Sequence, residues 1–73
     1  MGQVDGSGQR YEQFLMSEDE RIRVTRVPHA DWADGPTVRV QKVMASGKLA
    51  QGPEFPARLA GELAKALHEV MLD

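Results

Sequence analysis

Cysteine is absent from this 73-residue chain, aromatic residues number only one Trp, one Tyr and two Phe, and histidine occurs twice. Without thiols there is no disulfide framework and no zinc site of the common cysteine-bearing kind. A chain this short buries only about 60% of the surface its unfolded form exposes. A partner subunit is the usual remedy when disulfides and metals are lacking, so a homodimer is expected. The lack of cysteine suits a reducing compartment, and a cytoplasmic location is expected. No apolar run approaches the ~20 residues that cross a bilayer. The N-terminal stretch is polar and holds no hydrophobic segment of signal-peptide type, so the expectation is a soluble chain with no membrane contact.

Catalytic constellations are missing as well. His29 stands in a proline-bearing loop and His68 on a helical stretch, with no H-x-x-x-H or H-E-x-x-H spacing to make a zinc site. His29 with Asp31 and Asp34 could hold a metal only loosely, and an ordinary polar loop is the better reading of the three. Gly2, Gly6 and Gly8 are neither preceded by an apolar strand nor followed by a Lys-Ser or Lys-Thr helix start, so they form no phosphate-binding loop. The expectation is a non-enzyme with no cofactor and no metal.

The net charge of -2 does not describe a general polyanion binder, but the charge is unevenly spread. Residues 1 to 20 set Arg10 against Asp5, Glu12, Glu18, Asp19 and Glu20, a net of -4. Residues 21 to 58 set Arg21, Arg23, Arg26, Arg39, Lys42, Lys48 and Arg58 against Asp31, Asp34 and Glu54, a net of +4. Residues 59 to 73 set Lys65 against Glu62, Glu69 and Asp73, a net of -2. A basic middle lies between two acidic ends.

Residues 1–10, opening MGQVDGSGQ, offer almost nothing apolar to bury and predict a flexible tail ahead of a single domain spanning 11–73. Tyr11, Phe14 and Leu15 suit one face of a helical turn, or a first strand. Ser17 to Glu20 reads as a break. Arg21 to Val27 alternates, with Ile22 and Val24 on one side and Arg21, Arg23 and Thr25 on the other, the period of a half-buried strand. PHADWADGP is a connecting loop. Thr37 to Met44 alternates again, with Val38, Val40 and Met44 inward, until Lys42 interrupts the inward side and predicts a strand end or a bulge. Ser46-Gly47 marks a turn, and Lys48 to Phe55 returns as a third short strand broken at Gly52-Pro53.

From Pro56, a good first helical residue, the apolar positions Leu59, Leu63, Leu67 and Val70 make one stripe, with Arg58, Glu62, Lys65 and Glu69 opposite. A helix over 57–72 is predicted, with its stripe as the core face. Truncating Leu59, Leu63 or Leu67 would then cost roughly 2–5 kcal/mol each if fully buried. The fold class is α+β, a small antiparallel sheet of three to four strands packed on one C-terminal amphipathic helix.

If the two long strands are antiparallel neighbours, Arg21, Arg23 and Thr25 share with Thr37, Arg39 and Gln41 the sheet face that the helix leaves open. Guanidinium groups there could hold phosphates and stack on bases, or merely keep a one-sided sheet in solution. The aromatic platforms of single-strand binders are not evident among these residues. Trp32 either folds back on the sheet edge or stays exposed as a contact residue.

RIRVTRV, TVRVQKV, the Gly47-Lys48 turn and Gly52 leading into PEFPARLAGELAKALHEV together resemble the transcriptional positive cofactor four family of single-stranded-DNA-binding coactivators, over roughly residues 20 to 72. The resemblance implies four strands and a helix, DNA contacts from Arg21, Arg23, Arg39 and Lys48, and a homodimer formed through the helix side. Departures are a lysine-rich segment reduced to Lys48, Val38 and Val40 where the family carries aromatics, and a longer PHADWADGP loop. The expected site is therefore Arg21, Arg23, Arg39, Lys48, Gln41 and Trp32, binding single-stranded nucleic acid. The alternative partner is a protein of the transcription machinery such as RNA polymerase, bound by a small regulator or inhibitor of phage or bacterial type through the sheet face, Trp32 or the acidic N-terminal segment.

Overall fold

The computed structural model describes residues 2–72. Six strands form one antiparallel sheet: β1 (Gln3–Val4), β2 (Arg10–Leu15), β3 (Arg21–Val27), β4 (Thr37–Val43), β5 (Leu49–Ala50) and β6 (Glu54–Pro56). The first five are neighbours in chain order, and β6 shares the far edge of β4 with β5. A 3-10 turn (Ala57–Leu59) leads into one helix, α1 (Ala60–Val70). The α+β class is as expected, but the sheet has more strands than the three to four predicted.

The extra strands come from the N-terminal end. Tyr11, Phe14 and Leu15 belong to β2, which pairs along β3 from Tyr11 opposite Thr25 to Leu15 opposite Arg21. The break at Ser17 to Glu20 is the hairpin turn between them, closed by the Met16 N–H donating to the Glu20 carbonyl at 2.9 Å. Within the stretch predicted as a tail, Gln3 and Val4 pair with Tyr11 and Arg10. Asp5 makes the intervening turn by accepting from the Ser7 and Gln9 amides, each at 2.9 Å, which gives local bonds to a segment with little to bury.

Lys42 neither ends nor bulges β4. The ladder runs unbroken from Thr37 opposite Val27 to Val43 opposite Arg21. The Lys42 ammonium stays on the apolar side because Glu20 lies 3.2 Å from it. The return strand is divided at Gly52-Pro53, as those residues suggest. A Cβ on Gly52 would sit 2.0 Å from the Val40 carbonyl oxygen, so only glycine lets the chain come this close. The adjacent Pro53 carbonyl then accepts from the Val40 amide at 2.9 Å.

Pro56 is not the first helical residue. It is extended (φ -58°, ψ 137°) and ends β6, and the Ala57 amide donates to the Pro36 carbonyl at 2.9 Å.

The helix corrects the predicted packing most. Its stripe faces the apolar side of the sheet but does not close on it, and no residue of α1 is buried. Leu63 is 40% and Leu67 57% exposed. Between helix and sheet lies an open groove of about 530 Å³ walled by Phe14, Ile22, Val24, Val38, Val40, Pro53 and Phe55 on one side and Ala60, Leu63, Ala64 and Leu67 on the other. The buried residues Thr25, Val27, Thr37 and Val43 instead lie on the opposite, arginine-bearing face, where the loop of residues 28–36 folds over Val27.

Core truncations should therefore rank against the helical pattern. In urea unfolding of dilute protein, Val27→Ala should cost about 1–3 kcal/mol, and Leu67→Ala less than about 1 kcal/mol. A larger loss for Leu67→Ala would show that the stripe is closed in the single chain.

Candidate nucleic-acid interface

Because side chains alternate along a strand, the register lays the arginine-bearing face out in rows across the sheet. Leu15, Arg21 and Val43 make one row, Gln13, Arg23 and Gln41 the next, and Tyr11, Thr25, Arg39 and Glu54 the third. Val27 and Thr37 lie beyond the third row, under the loop that carries Trp32. The first and third rows are four residues apart, or about 13 Å at ~3.3 Å per strand residue. Arg21, Arg23, Arg39 and Gln41 are thus brought onto one face as expected. Lys48 is at the tip of the β4–β5 hairpin, next to the Arg21 row, where Gly47 (φ 89°) makes the turn. Trp32 is at the opposite end of the face.

The middle row carries the feature that sequence reading missed. The Arg23 guanidinium carbon lies 4.3 Å from the centroid of the Tyr11 ring, and its Nε donates to Gln13 Oε1 at 3.2 Å. The Tyr11 hydroxyl donates to Gln3 Oε1 at 2.8 Å, tying the ring's far end to β1. A cation over an aromatic face is held by the ring quadrupole as well as by packing. The face therefore has an aromatic platform after all, supplied by β2. The period-two relation of Tyr11 to Gln13 was its only trace in the sequence.

Glu54 organises the third row. Its carboxylate accepts from Thr37 Oγ1 at 2.7 Å, Arg39 Nε at 3.0 Å and Trp32 Nε1 at 3.1 Å. The Thr37 hydroxyl most of all, then the Arg39 guanidinium and more weakly the Trp32 indole, hold its pKa below the ordinary glutamate value, against an opposing effect of partial burial that exceeds the indole's. Trp32 is tethered at the sheet edge through its ring nitrogen while the residue remains 58% exposed. Arg39 and Glu54 form the shared wall of two shallow clefts, one of about 370 Å³ with Gln41, Gln51 and Gly52, the other of about 250 Å³ with Val27, His29, Ala30, Asp31 and Trp32.

Arg39 is thus neutralised, whereas Arg21, Arg23 and Lys48 make no ion pair among the described residues. Uncompensated positive charge is concentrated at the hairpin end and in the middle of the face. Among the described residues no three His, Asp or Glu side chains converge as metal ligands, and no helix is long and apolar enough to cross a membrane.

The Glu54 network sets a pH dependence. A carboxylate whose pKa is lowered by folding contributes stability that is fully present above its unfolded value of about 4.3 and lost as pH falls through its lower folded value. Thermal unfolding followed from about pH 6 down to about pH 3 should show a drop in melting temperature that Glu54→Gln makes shallower. An unchanged drop in that variant would assign the acid sensitivity to other groups. No family model, no curated protein and no solved structure matches the chain, so the chemistry of the face itself carries the functional reading.

Proposed function

We propose that the protein is a small transcription regulator that binds single-stranded nucleic acid on the face carrying Arg21, Arg23, Gln41 and Arg39, and that it works as a homodimer joined through the helix side. The observation that supports this best is the Arg23 guanidinium over the Tyr11 ring, amid cations that make no ion pair among the described residues. Single-strand binders combine a backbone-tracking basic surface with aromatic or guanidinium planes on which bases stack, and this face has both. The resemblance of residues 20 to 72 to the positive cofactor four family agrees with that use. The dimer is supported by the apolar groove and by Leu63, Leu67 and Val70, which remain exposed in the single chain. A second α1 stripe closing this gap would bury the apolar surface that a chain of this size can least leave open.

A labelled single strand titrated at several salt concentrations tests the first half. Log affinity should fall linearly with log salt, and Arg21→Ala and Arg23→Ala should each reduce the slope by about 0.7, the value for one phosphate contact on a single strand. Absence of binding at low salt would end this reading. Sedimentation should show a dimer in the wild type and a monomer in Leu67→Glu; a monomeric wild type would remove the dimer from the proposal.

One observation favours a protein partner instead. Beyond Tyr11 no strand among the described residues lies beside the outer edge of β2, and Phe14, Leu15 and Met16 are exposed there. An open edge with apolar side chains accepts a strand from another protein. A regulator acting that way on RNA polymerase would give a flat oligonucleotide titration and would lose its effect on transcription in Leu15→Lys.

A further inference from the structure

Phosphate contacts position a nucleic acid on a protein, whereas contacts to base edges specify its sequence. The two ends of the arginine face divide along this line. At the hairpin end Arg21, Arg23 and Lys48 carry charge with no ion-pair partner among the described residues. At the loop end the charge of Arg39 is returned by Glu54 at 3.0 Å, which makes Arg39 a poor anchor for a phosphate. Arg39 gives only Nε to that bond, and neither Nη carries a hydrogen bond among the described residues. The two Nη groups remain a planar pair of donors. The same carboxylate tethers the Trp32 indole through Nε1, fixing a ring that is largely exposed. An orienting carboxylate, a donor fork and a flat aromatic surface therefore meet beside the 250 Å³ cleft. That cleft is below the roughly 300–1,000 Å³ of sites for drug-sized ligands, so it suits a single ring better than a larger molecule.

We propose that the Trp32, Arg39 and Glu54 end of the face is a base-reading subsite that stacks a nucleobase on Trp32 and reads its edge with the Arg39 fork, favouring guanine. The inference rests on the single-strand reading above and adds specificity to it. Two adjacent Nη donors match the paired O6 and N7 acceptors of guanine, an arrangement that thymine lacks. Glu54 is a positioning residue. It touches no base, but it sets the orientation of both groups that do, so their freedom is already restricted before binding.

Trp32 is the only tryptophan, so its fluorescence reports this subsite directly. An oligothymidylate and the same strand carrying one guanine are titrated against the protein, following both affinity and Trp32 emission. The guanine strand should bind about tenfold tighter, within the range of one bidentate base contact, and should quench Trp32. Glu54→Gln, which replaces one accepting oxygen by a donor, should bring the two strands to equal affinity. Arg39→Lys should do the same, and because it keeps the charge beside Glu54 it guards against a variant that simply fails to fold. Arg39→Lys should leave the salt slope unchanged, in contrast to Arg23→Ala, whereas Glu54→Gln, which frees the Arg39 charge, should steepen it. Equal affinity of the two strands for the wild type, unchanged Trp32 emission on binding, or a salt slope lowered by Arg39→Lys would each overturn the subsite while leaving single-strand binding in place. Failure of both strands to bind would remove the single-strand reading and the subsite together.

Discussion

Pairing β3 with β4 so that Arg23 lies opposite Gln41 and Val24 opposite Val40 sorts the side chains of the two central strands between two faces. Side chains alternate with a period of two, so a slip of one residue would carry Arg21, Arg23 and Arg39 to the side of the apolar groove and Val24, Val38 and Val40 to the polar face. The ladder holds over seven residues, including Lys42, whose charge on the apolar side is met by Glu20. Every other feature inherits this register: the rows of the basic face, the placing of Tyr11 beside Arg23 through β2, and the placing of Glu54 beside Arg39 through β6.

A sheet this small has two faces to cover and little chain to cover them. The loop of residues 28–36 covers one end of the polar face, and there the molecule has its most completely buried side chain, Thr37 at 0% exposure, with its hydroxyl spent on Glu54. The helix reaches the apolar face but leaves a groove. Among the described residues the tightest burial thus lies on the side that carries Arg21, Arg23 and Arg39, and an open apolar groove lies on the side of the amphipathic helix. Such a division leaves the helix stripe available for another surface, while the polar face is already stiffened by its own hydrogen bonds.

Glu54 explains how a chain of net charge -2 can present a basic surface with graded character. It pairs with Arg39, while Arg21, Arg23 and Lys48 make no ion pair among the described residues. The remaining acidic side chains are mostly on other surfaces, at the N-terminal turns and along the helix. Unpaired charge and a hydrogen-bonded, shaped cluster are therefore provided by different residues of one face, the division on which the proposed affinity and selectivity rest.

Local patterning determined β3, β4, the split of the return strand at Gly52-Pro53 and the helix, because alternation and a heptad-like stripe are properties of neighbouring residues. It also determined which arginines share a face once the two strands pair. Tyr11 was not legible in this way, since a short run holding Tyr11, Phe14 and Leu15 satisfies both a helical turn and a strand, and only pairing with β3 decides between them. Glu54 carried no signal, because its three donors come from residues 15 to 22 positions away in the chain. Nor could the stripe of Leu59, Leu63 and Leu67 reveal what covers it. Periodicity shows which side of a helix is apolar, but the distance from that side to the sheet depends on the turn at Pro56 and Ala57 and on long-range packing, which only the tertiary structure decided.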